Sequence, residues 1–135
     1  MTLESILRPV AGSSRLFELV LPYPATWTDS KGFRNTIVIP AGFRYDVASI
    51  PRIFWPLIGP VELGYKAPLV HDYLISKRGY VSLETDGIRT RAHFLGPSID
   101  KIFAVLMREA GVPRWKRRLA YRAVRLWSWF KGTKD

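Results

Sequence analysis

The chain has 135 residues, no cysteine, and 21 Lys and Arg against 11 Asp and Glu, for a formal net charge of +10. The missing cysteines exclude a disulfide framework and any thiolate metal site. Five Trp, six Tyr and seven Phe argue for a packed core rather than a disordered chain, and the excess of positive charge argues for an anionic partner.

The length suits a single domain over residues 1–135. Met1 to Ser5 lack a basic stretch followed by an apolar run, so no secretory leader is expected, and no segment reaches the ~18 apolar residues of a membrane span. Residues 1–50 read as β-rich. Short runs over 15–21 and 35–40 carry β-branched and aromatic residues and are separated by the turn formers Asp29 to Gly32; Phe43 to Asp46 alternates as a further strand. Pro22, Pro24 and Pro40 stand at run ends, which suits edge strands. In the turn-dense stretch that follows, Asp46 and Ser49 are candidate site residues, because short polar side chains on loops between rigid elements often carry chemistry. Residues 51–64 read as a connector ending in the loop Gly59 to Gly64.

Residues 65–131 read as helical, interrupted at 78–96 by an exposed polar excursion with a small hairpin around Tyr80 to Leu83. The fold class is therefore α+β: a small N-terminal antiparallel sheet followed by three helices. On the first helix, Ala67, Val70, His71, Leu74 and Ile75 share one stripe, apolar except for His71. On the second, bounded by Pro97 and Gly111, Asp100 lies on or beside the stripe of Ile99, Ile102, Phe103, Leu106 and Met107. An acid near a helix start also complements the helix dipole. A buried carboxylate nevertheless wants a partner, and His71 is the other polar group on an apolar stripe. An imidazole held through one nitrogen leaves the other to accept a proton from water. His93, Glu84 and Asp86 read as surface residues. Two histidines and no cysteine supply a zinc site poorly, whereas Ca²⁺ needs only oxygens, many of them from backbone.

The third helix, 113–131, is the most basic segment. Trp115, Leu119, Ala123, Leu126, Trp127 and Phe130 form an apolar stripe expected to pack on the other two helices. Arg117, Arg118, Arg122 and Arg125 are then left for an anionic membrane surface, with nucleic acid the weaker alternative because no DNA-binding motif accompanies the charge.

Four segments in order, Phe43-x-x-Asp46-x-Ala48-Ser49-Ile50-Pro51, Trp55-Pro56-Leu57, Ala67-x-x-x-His71-Asp72-Tyr73-Leu74 and Asp100-x-Ile102-Phe103, followed by Tyr121-x-Ala123-Val124-Arg125, resemble a family of phage and prophage proteins designated domain of unknown function 1353. That resemblance implies a phage origin, a place in the host cytoplasm or the virion, and other phage proteins as partners; it brings no established activity. The helical half also resembles, more distantly, bacterial and fungal secreted phospholipase A2, through His71-Asp72, Asp100-x-x-Phe103-x-x-x-Met107 and Tyr121-x-x-Val124-Arg125. This likeness implies that His71 activates water, Asp100 orients His71, and Asp72 binds Ca²⁺ with the backbone of Gly59 and Gly64. Ile75 stands where that family has a helix tyrosine, and its disulfides and calcium loop are absent. Two expectations follow: Ca²⁺-dependent hydrolysis of an ester such as a phospholipid, or a non-catalytic virion, assembly or host-interaction protein in which the same residues form a buried structural network.

Overall fold

The computed structural model describes residues 3–12, 16–46 and 66–130. A 3-10 turn, Glu4–Ile6, leads into β1 (Leu7–Pro9), β2 (Leu16–Leu19), β3 (Tyr23–Thr28), β4 (Arg34–Ile39) and β5 (Arg44–Asp46). Helix α1 (Lys66–Ser76) follows, then β6 (Tyr80–Thr85), β7 (Ile88–His93), α2 (Gly96–Glu109) and α3 (Arg114–Phe130). The architecture is α+β. Instead of one small sheet there are two antiparallel ones among the described residues, ordered β1-β2-β5 and β3-β4-β6-β7.

Strand β3 goes beyond the sequence reading, which placed Pro24 at a run end. Pro24 sits inside β3, opposite Val38, and is tolerated because β3 is an outer strand of its sheet. Alternation then buries Ala25 and Trp27 with Ile37 and Ile39 across the ladder, while Thr26 and Thr36 bond to each other on the other face at 3.1 Å. The segment 78–96 also differs from a mere excursion. Asp86 and Gly87, with φ of 49° and 85°, form a two-residue turn whose positive φ values match the right-handed twist of paired strands. They join β6 to β7, and β6 pairs with β4 through Asn35 and Thr36. Polar residues on β7 reflect its place at the sheet edge, where exposed side chains discourage further pairing.

The core lies between the sheets and the helices. Leu69, Val70 and Leu74 of α1, Phe103, Leu106 and Met107 of α2, and Ala120 and Ala123 of α3 are buried with Leu19, Ile37, Ile39 and Tyr45. Phe43 meets Tyr73 edge-on at 5.3 Å, joining the first sheet to α1. The start of α1 and the end of α2 are both fastened to β3: Lys66 Nζ donates to the Thr26 carbonyl, and the Thr28 amide donates to Glu109 at 3.1 Å. Helix α1 ends where Gly79 adopts φ of 82° and its amide reaches the Leu74 carbonyl at 2.9 Å. A Cβ at Gly79 would lie 1.9 Å from the Phe94 carbonyl oxygen, so this crossing of chains requires glycine. Gly111, at φ of 85°, ends α2, and the Val112 amide bonds back to the Met107 carbonyl.

Candidate active site

The two polar side chains carried on apolar stripes meet. His71 Nε2 and Asp100 Oδ1 are 2.8 Å apart, with Asp100 fully buried and His71 8% exposed. Helix α1 presents His71 inward because Ala67, Val70 and Leu74, on the same stripe, pack into the core. Asp100 is the fifth residue of α2, past the first turn, so its placement serves a contact rather than the helix dipole. The imidazole also lies against Phe103, ring centroids 5.1 Å apart, which limits its rotation.

The other oxygen of Asp100 has a partner that the sequence reading assigned elsewhere. Arg125 Nη1 donates to Asp100 Oδ2 at 2.9 Å. Arg125, expected to remain for an anionic surface, is instead turned toward α2, with its side chain 31% exposed. One carboxylate thus joins all three helices. A carboxylate accepts only, so in the neutral ring Nε2 carries the hydrogen and Nδ1 keeps its lone pair. Among the described residues Nδ1 is buried and has no hydrogen-bond partner. Its nearest carboxylate is Asp72 Oδ1, 3.9 Å away, acting through charge rather than a formed hydrogen bond. Burial by itself pulls the His71 pKa down; the Asp100 hydrogen bond and the charges of Asp100 and Asp72 outweigh it and hold the pKa above the usual imidazole value.

Asp46 closes β5 opposite Leu16, while Ser49, Gly59 and Gly64 lie outside the described residues. Arg118 and Arg122 are exposed, but Arg117 is half-buried and donates to the Val112 carbonyl at 3.0 Å, fastening the turn between α2 and α3. The apolar stripe expected to pack α3 is divided: Ala123 is buried and Leu119 packs half-buried against the core, whereas Trp115 and Leu126 are 57% and 52% exposed; Ala120, outside that stripe, is buried as well. Trp127 and Phe130 fall in α3, and their side chains lie outside the description. His93 is exposed and stacks on Tyr80 at 3.9 Å. Sequence reasoning missed Arg125 as the second partner of Asp100. The signal was available in principle, because a fully buried carboxylate needs more than one donor.

The protein defined by this fold and site is an α+β domain whose helices are joined through a buried His–Asp–Arg network. The chain belongs to the family described as "Protein of unknown function (DUF1353)", whose model matches residues 19–124. It is similar to a protein of Sinorhizobium fredii (strain NBRC 101917 / NGR234) described as "Uncharacterized protein y4jT", 35% identical over 111 residues. That match covers 81% of this chain but only 28% of the relative's length. No solved structure matches the chain. No helix among the described residues is long and apolar enough to cross a membrane.

Proposed function

We propose that the chain is a hydrolase of esters, phospholipid esters first among them, in which His71 Nδ1 takes the proton of an attacking water while Asp100 and Arg125 hold the ring. Nδ1, buried and without a hydrogen-bond partner among the described residues, carries this reading. A histidine kept only for packing satisfies both nitrogens, and one fixed through Nε2 with Nδ1 open has the arrangement of a general base. The Asp100 hydrogen bond and the neighbouring carboxylates hold the His71 pKa above the usual imidazole value, which makes the ring a stronger proton acceptor than a free imidazole.

Asp72, an oxygen donor with a 28% exposed side chain beside the base, suits a hard cation such as Ca²⁺. Among the described residues no group of three or more His, Cys, Asp or Glu is assembled to hold a metal, so further oxygens would come from backbone, and the phospholipase A2 resemblance points to Gly59 and Gly64, outside the described residues, for them. A Ca²⁺ held there would polarise the ester carbonyl. An anionic lipid surface as partner is supported by α3: Trp115, Arg118, Arg122 and Leu126 are exposed at helical spacings of three and four, mixing apolar and basic side chains along one face. The ordered motifs shared with phage and prophage proteins support a phage origin.

The test is release of fatty acid from phosphatidylglycerol vesicles with and without Ca²⁺. His71→Ala is expected to lower turnover by about 10²–10⁴-fold, and Asp72→Asn to remove both the Ca²⁺ dependence and any rise in Tm on adding Ca²⁺. A second reading rests on a specific observation: Asp100 is 0% exposed and bonded on both oxygens to different helices, which suits a fastener in a non-catalytic phage component. An unmodified protein with no turnover and no Ca²⁺ binding at millimolar concentration leaves that second reading in place.

A further inference from the structure

Apart from the His71 network, the described residues hold a groove of about 560 Å³ between the β3–β4 turn, the outer flank of α2 and the first half of α3. That volume falls within the range of sites that take one small organic molecule. Lys101 follows Asp100 by one residue, about 100° round the helix, so the groove opens on a different side of α2 from the histidine. Two kinds of chemistry meet in it. Ile102, Ala104 and Val105 of α2 supply an apolar floor, backed by the almost fully buried Trp27. Lys101, Arg114 and Arg118 line it as well; all three are exposed and form no hydrogen bond or ion pair among the described residues.

The one carboxylate on the lining pairs with none of these three among the described residues. Asp29 is already engaged by the amides of Lys31 and Phe33 and the side chain of Asn35, at 2.9, 3.0 and 3.1 Å. Unpaired cations converging on an apolar floor repel one another, a cost that a bound anion removes. The occupant therefore needs an anionic head and an apolar body. A nucleic-acid strand fits less well, because stacked bases need open aromatic faces, and of the two aromatics on the lining Trp27 is only 3% exposed and Tyr121 is half-buried.

We propose that this groove is a binding site for a single anionic amphiphile, a phosphate or carboxylate head on an acyl chain, with the head on Lys101, Arg114 and Arg118 and the chain over Ile102, Ala104 and Val105. The site stands independently of catalysis at His71. Dodecyl phosphate, kept below its micelle concentration, is the probe, and calorimetry on the full chain is the readout. One saturable site is expected. Lys101→Glu, on an exposed position, and Ala104→Trp, which fills the floor, are each expected to weaken binding roughly tenfold or more. Arg91→Glu, on the exposed edge strand β7 and outside the groove lining, is expected to leave binding unchanged. Inorganic phosphate and the uncharged dodecyl maltoside should each bind at least about tenfold more weakly than dodecyl phosphate, because each lacks one half of the match. Unchanged Tm in Lys101→Glu confirms that its effect is local. Absence of saturable binding overturns the proposal, as does equal binding by Lys101→Glu. Loss of binding in Arg91→Glu to the same extent points to attraction by the net positive charge rather than by the groove and overturns it too. Tighter binding of a dT oligonucleotide than of dodecyl phosphate, lost in Lys101→Glu, makes the groove a nucleic-acid path instead and overturns it as well.

Discussion

The polar network among the helices and the one at the β3–β4 turn both reach into the interior, yet they are finished differently. At the turn, buried Asn35 donates to Asp29 and to the Phe33 carbonyl, and accepts from the Thr85 hydroxyl at 2.8 Å. Asp29 in turn takes the Lys31 and Phe33 amides, so every arm closes on the hairpin or on the neighbouring strand β6. Among the helices, Asp100 is closed in the same way by His71 and Arg125, but the far nitrogen of His71 has no hydrogen-bond partner among the described residues. A fully closed network is explained by the turn it stabilises. An acceptor that is buried with no partner among the described residues is a cost that the packing of the helices does not explain, and in this the two networks differ.

The largest expected effect tests whether the helical network is also structural. Asp100→Ala strands the head groups of His71 and Arg125 together, and breaking such a buried pair costs about 3–5 kcal/mol. Urea unfolding measures it, and a loss below about 1 kcal/mol would mean that the three helices do not depend on this junction. The pH dependence of the urea midpoint separates the two networks further. His71 has a raised pKa in the folded state, so its stabilising contribution is complete below about pH 6.5 and is lost as pH rises through the folded value. Stability should fall across that window, and His71→Gln should flatten the fall. Asp29 behaves oppositely. The Asn35 hydrogen bond, with the Phe33 and Lys31 amides, lowers its pKa, so its contribution is present above the usual carboxylate range and is lost as pH falls through the folded value.

Much of the helical site was legible because a polar residue on an apolar helical stripe is conspicuous, and two such residues call for each other. His71 and Asp100 stood out by period alone. Arg125 did not, since an arginine in a helix rich in arginines carries no positional mark until the buried carboxylate opposite it is known. The face of α3 was misjudged for a related reason. Its aromatic and aliphatic residues outnumber the buried positions, so spacing alone could not show that the small residues Ala120 and Ala123 pack inward while Trp115 and Leu126 stay outside. Strand β3 was hidden by Pro24, which is permitted only because the strand is at an edge, a tertiary fact. The Asp86-Gly87 turn was a readable hairpin signal, but the polar residues of β7 disguised the strand beside it.

At the turn, Asn35→Ala is the corresponding test. It removes the donor to Asp29 and to the Phe33 carbonyl and leaves the Thr85 hydroxyl without its acceptor, for an expected loss of about 1–3 kcal/mol. Because Thr85 lies on β6, the same substitution should increase amide exchange at the β4–β6 junction, where Asn35 pairs with Thr85. Exchange in α1 and α2 should not change. A rise there would show that the two networks are one cooperative unit and dissolve the distinction between them.

Thr85→Val is the smallest and cleanest of these changes. Valine keeps the shape and the β-branching that favours a strand, and removes only the hydroxyl that donates to Asn35 at 2.8 Å. The expected cost is about 0.5–1.5 kcal/mol, the net worth of one hydrogen bond. Its use lies in combination. If the closed turn and the open helical site are independent, Thr85→Val and His71→Gln should add to within about 0.3–0.5 kcal/mol, as substitutions without shared partners do. A larger coupling would mean that strain at the turn reaches the histidine through β4 and the core it shares with α1, and the orphaned nitrogen would then belong to the packing of the whole domain rather than to a local site.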